Sequence, residues 1–126
     1  MQKFLLLVRT DIEKLRRQSD EKRYAEWPDM ADWVNALVES GNYITGQPLT
    51  VHGRSFSRNN VLSDGPFIES KEGVIGFDVI VAEDIEQAVK IAQRCPMVER
   101  GLAIREVRPM ASPQSSVLNI KKLKLD

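Results

Sequence analysis

The sequence predicts an α+β fold on the split βαβ plan, in which two helices cover one face of an antiparallel sheet. Three observations carry it. Apolar, strand-like runs stand at residues 3–9 and in "VIGFDVIVA", residues 74–82. Amphipathic helical stretches near 28–40 and 84–95 follow them, and a last alternating segment, "GLAIREVRP", closes the pattern. A chain of 126 residues fits one domain and one core.

The first strand, "FLLLV" between Lys3 and Arg9, is apolar without a break, as in a strand covered on both faces, and is expected to be central in its sheet. The charged stretch after it, "TDIEKLRRQSDEKRYAEW", reads as a solvated connector or lid. Met30, Trp33, Val34, Leu37 and Val38 then repeat at the helical spacing of one buried face, with Asp29 placed as N-cap after Pro28 and Gly41 as a left-handed C-terminal cap. Tyr43, Ile44 and Thr45 begin a strand that Gly46 and Pro48 interrupt, so it is expected to be short or bulged and near an edge. A further stretch at about 54–62 leads into an acidic connection. Beyond "VIGFDVIVA", Asp84 with Gln87 three residues on marks a helix start, Ile85, Ala88, Val89 and Ala92 supply its apolar face, and Pro96 ends it. The last strand sets Ile104, Glu106 and Arg108 on one face and Arg105 and Val107 on the other. The order is that of a ferredoxin-like protomer. Two helices cover only one sheet face, so a second copy is expected to cover the other, giving a homodimer.

Composition removes several functional classes. Eighteen basic residues balance eighteen acidic ones, which leaves no net field to attract nucleic acid or an anionic membrane surface. Cys95 is the single cysteine, so no intrachain disulfide forms and a reduced, cytoplasmic setting is expected. The five apolar residues Phe4–Val8 are too few for a signal-peptide core or a membrane span. Trp27, Trp33 and Tyr24 read as core and helix anchors, and the mixed Arg and Ser of residues 54–58 as a solvated loop.

The chemistry-bearing residues gather around "VLSDGPFIESKEGVIGF", residues 61–77. Asp64, Gly65 and Pro66 have the residue types of a turn, with Asp64 accepting from backbone groups and Phe67 pinning the loop to the core. The other reading places Asp64, Glu69 and Glu72 at the mouth of a cavity, where they orient a small-molecule ligand or move a proton. His52, the one histidine, titrates near neutral pH when unperturbed, which makes His52 with Asp64 the candidate catalytic pair and Glu69, Glu72 and Asp78 the candidate ligand contacts. Asp78, charged within an apolar strand, needs a partner, and Arg105 or Arg108 can supply it. No paired His spacing or other ligand pattern points to a metal, and no cofactor is expected.

"DGPFIESKE", the Gly-aromatic strand after it, the acid-capped helix ending in "RCP" and the terminal "EVRP" together resemble the DGPF subgroup of the YCII-related family. The resemblance runs from Met1 to about Met110 and leaves residues 111–126 as a C-terminal tail, whose Val117, Leu118, Ile120, Leu123 and Leu125 suggest that it docks. It implies a dimeric α/β barrel in which the sheets of two ferredoxin-like protomers enclose a cavity. The family mostly lacks an assigned reaction. Lyase-like and dehalogenase-like relatives in the wider group imply acid–base chemistry by a His and an Asp, and the first-helix position of that histidine holds Asp29 here. Asp78 also departs from the aromatic residue common in the family. An association of DGPF members with alternative sigma factors implies the other functional class, a regulatory interaction module without catalysis.

Overall fold

The apolar run after Lys3 becomes β1 (Gln2–Asp11), and the helical stripe after it lies in α1 (Asp20–Glu39). The chain continues through β2 (Tyr43–Pro48), β3 (His52–Phe56), β4 (Val61–Pro66), β5 (Glu72–Ala82), α2 (Ile85–Gln93), the short α3 (Pro96–Glu99) and β6 (Ile104–Pro109). Two-residue strands β7 (Ser112–Pro113) and β8 (Leu123–Lys124) pair with each other. This computed structural model describes the backbone of residues 1–11, 13, 17, 19–50, 52–59, 61–66, 72–113 and 123–124. Within those, the side chains of residues 20, 22–26, 52, 55, 61–66, 72, 112–113 and 123–124 lie outside the description.

The main sheet has the order β2-β5-β1-β6, antiparallel throughout. It is two interleaved split βαβ units: β5 lies between β1 and β2, and β1 lies between β5 and β6. The α+β, ferredoxin-like reading therefore holds. β1 is central, because its continuous apolar run tolerates neighbours on both edges. Phe4, Leu6, Val8 and Thr10 point under the helices and are buried, while Leu5, Leu7 and Arg9 on the alternate face are half-buried. The core joins Phe4, Leu6 and Ile80 of the sheet to Trp33 and Leu37 of α1, Ala88 and Ala92 of α2, and Cys95.

The helix boundaries show where local signals mislead. α1 begins at Asp20, so the C-terminal half of the segment expected to be a connector is helical, and Pro28 sits inside the helix. The sequence hides this turn, because the charged run at residues 20–26 has no apolar period to display. Asp29 is consequently no N-cap; its carboxylate pairs with Arg100 at the end of α3. Of the expected stripe, Trp33 and Leu37 are buried, but Val38 faces outward at 56% exposure. Gly41 has φ 77° and closes α1 as expected. α2 starts as the sequence indicates: the Asp84 carboxylate accepts from Gln87 N at 2.9 Å. Its buried face is centred on Ala88 and Ala92, leaving Ile85 and Val89 exposed.

The turn reading of Asp64, Gly65 and Pro66 is corrected. All three belong to β4, which pairs with β3 in a two-stranded sheet inserted between β2 and β5. A terminal strand position accommodates proline in a two-stranded ladder, and Pro66 is the last residue of β4; Phe67, expected to pin the loop, lies outside the described residues. No helix among the described residues is long and apolar enough to cross a membrane.

Candidate functional site

Asp78 organises the most polar point beneath the helices. Its register places it opposite Leu6 on β1 and Gly46 on β2, on the covered face of the sheet, where it is 8% exposed. A carboxylate there needs charged or hydrogen-bonding neighbours, since burying it alone is prohibitive. Arg105, opposite Val8 on β6, reaches across β1 and donates from Nη1 to Asp78 Oδ2 at 2.6 Å. From the other side, the Tyr43 hydroxyl donates to Asp78 Oδ1 at 2.7 Å. Arg105 is thus the partner that the charged residue in an apolar strand requires, and strand parity explains why Arg108 is not.

The neighbours of this pair fix its geometry. The Arg105 guanidinium lies 5.0 Å from the centroid of the Trp33 ring, a cation–π distance, and Nη2 donates to Cys95 Sγ at 3.4 Å. Trp33 is itself anchored by Nε1 donating to the Ile91 carbonyl at 3.2 Å. On the opposite flank, Tyr43 reaches Asp78 over Gly46. A Cβ at residue 46 would collide with both Tyr43 Oη and Asp78 Oδ1, so the glycine that interrupts β2 is what lets the hydrogen bond form. Burial, the hydrogen bond to Asp78 and its negative charge together push the Tyr43 phenol well above the ordinary tyrosine range, against a smaller opposing effect of Arg105. Tyr43 therefore keeps its proton and gives it to Asp78 as a hydrogen bond, leaving its oxygen lone pairs as acceptors.

This cluster forms part of the wall of a cavity of about 430 Å³ between α1 and the sheet. Met30, Ala31 and Val34 of α1, with Val8, Ile75 and Met97, supply much of its apolar lining. Gly46 and Gly76 contribute sheet backbone with no side chain rising into the space. Trp27 lines it as well while remaining 65% exposed, which places this indole at the mouth rather than in the core expected for it. Among the described lining residues Asp78 and Arg105 are the charged ones. The arrangement is that of an ordinary ligand pocket: apolar walls with a few converging polar groups.

The other sequence-derived candidates sit elsewhere on the backbone. His52 opens β3 opposite Pro66, and Asp64 lies opposite Arg54, so the ladder sets His52 and Asp64 one diagonal step apart. Glu72 opens β5 opposite Asp11. The side chains of His52, Asp64 and Glu72, and all of Glu69, lie outside the described residues. Among the described residues no group of three or more His, Cys, Asp or Glu converges as a metal site would require. Tyr43 and Gly46 were not singled out for a site by the sequence. The available signal was the glycine in a strand, which marks a close approach whose partner only the register identifies.

A helix-covered antiparallel sheet with a largely apolar pocket beside a Tyr–Asp–Arg cluster defines a small α+β domain. The profile of the YCII-related domain matches residues 3–111, most of the chain, and the protein belongs to that family. Curated proteins offer no match.

Proposed function

We propose that this YCII-family protein binds a small, largely apolar molecule in the cavity beneath α1, with Asp78 and Tyr43 as its polar contacts. One observation carries the reading: among the described residues, the cavity of about 430 Å³ meets a buried, hydrogen-bonded ion pair and is not filled by core side chains. A regulatory module acting only through its surface has no need of such a space, so the binding class is favoured over the interaction class. Ligand stabilises the folded chain by mass action, so a thermal-shift screen of neutral and charged aromatic fragments is expected to raise the melting temperature. Ala31→Phe, which projects a ring into the space, abolishes that shift while the protein stays folded. No stabilising fragment, or equal shifts in the variant, overturns the reading.

The sheet face opposite the helices carries Leu5, Leu7 and Val79, with the Arg9–Glu106 ion pair at 3.0 Å beside them. A second copy covering this row completes the proposal as a homodimer. Sedimentation at micromolar concentration checks it; a monomer there refutes the homodimer and leaves the pocket in place.

A further inference from the structure

The electrostatics of the cavity restrict what it can hold. Asp78 and Arg105 cancel, so the polar end of the pocket has no net charge, and their side chains are only 11% and 2% exposed. The carboxylate is therefore the more accessible partner. Its neighbour Tyr43 has committed its proton to Asp78 and offers lone pairs. At the buried end of the pocket, then, the groups open to a ligand are hydrogen-bond acceptors, while the exposed Asn35 and Gln47, which also line the cavity, carry amides that donate as well as accept. Arg105 Nε finds no partner among the described residues, which would suit an anion, but it is sealed from solvent, and so from the cavity, in this arrangement.

Resting on the pocket reading above, we infer that the site selects an uncharged, mostly apolar molecule carrying a hydrogen-bond donor, an alcohol or amide, over the matching carboxylate or ammonium ion. A carboxylate would bring a second negative charge beside Asp78 and find acceptors where it needs donors. An ammonium would find the acceptors but leave a net positive charge buried next to Arg105. Either ion gives up its hydration without a compensating counter-charge, whereas the neutral donor loses little and gains a charge-assisted hydrogen bond. The apolar walls and Trp27 at the mouth suit a flat ring system.

The test compares naphthylmethanol, naphthoate and naphthylmethylammonium by calorimetry at neutral pH on the full chain. Naphthylmethanol is expected to bind roughly tenfold or more tightly than either ion, because unmatched like charge at a desolvated site is costly. Asp78→Asn removes the negative member, leaves the polar end cationic and is expected to move the preference to naphthoate. Adding Arg105→Gln to that variant restores the preference for the alcohol. Naphthoate as the tightest ligand of the wild type, or an unchanged order in a folded Asp78→Asn protein, overturns the inference; the wild-type ranking decides alone where the variants do not fold. Absence of binding by all three probes instead removes the pocket reading on which the inference stands.

Discussion

The two main helices lie on the same sheet and bury it differently. α2 presents alanines, Ala88 and Ala92, and comes down onto Phe4 and Ile80 with no solvent reaching either sheet residue. α1 presents Met30, Trp33, Val34 and Leu37, and beneath Met30 and Val34 a space of about 430 Å³ remains. The sheet completes the contrast: it raises large side chains toward α2 and offers Gly46 and Gly76 to the cavity under α1. Small residues on the helix paired with large ones on the sheet give a filled layer. Large residues on the helix above glycines leave a void, with the buried polar cluster at Asp78 in its wall.

Four experiments break or sharpen that contrast. The largest effect is expected from Asp78→Ala, which strands Arg105 without its counter-ion; loss of one member of a buried pair costs about 3–5 kcal/mol by chemical denaturation. A cost near zero would mean that the pair is solvated and that the cavity has no buried polar contact. On the filled side, Ala92→Leu forces methyl groups into a packed layer and is expected to cost about 1–3 kcal/mol. The same chemical change at Ala31, facing the cavity, is expected to stay within about 0.5 kcal/mol, since the added groups enter open space. Equal costs at residues 92 and 31 would erase the distinction between the two helices. The smallest signal comes from Tyr43. Its raised folded pKa means that its contribution to stability is fully present below the unfolded value of about 10 and is lost as pH rises through the folded value. Absorbance titration of a Tyr24→Phe protein is expected to show no tyrosinate at about pH 10 while the chain is folded. Ordinary titration there would place Tyr43 in solvent.

Much of the frame was legible because it depends on local rules. The unbroken run at Phe4–Val8 placed the central strand, Asp84 and Gln87 placed the start of α2, and Gly41 placed the end of α1. The failures share one cause. Residues 20–27 of α1 carry few aliphatic side chains, so no apolar period marks them, and Gly65–Pro66 has turn chemistry although pairing with β3 places it in a strand; in both cases the local signal is not the one that decides. The site was half legible. Asp78 announced itself as a charge in an apolar strand and pointed to β6, but Tyr43 enters only through the β2–β5 register, which a bulge between Tyr43 and Thr45 shifts by one residue. No periodicity in the sequence encodes that shift.

The outer strands of the main sheet bear on how this protein behaves at high concentration. β2 and β6 stand at its two ends, and each terminates in a proline, Pro48 and Pro109. A proline has no N–H to offer, the bulge twists β2 away from a straight ladder, and Glu106 and Arg108 put charge along β6. The main sheet therefore has little to gain by adding a strand at either edge, the route by which open sheets grow into fibrils. Growth of the main sheet at β2 and β6 is thereby disfavoured, and a contact through its broad face closes on itself where a ladder would propagate.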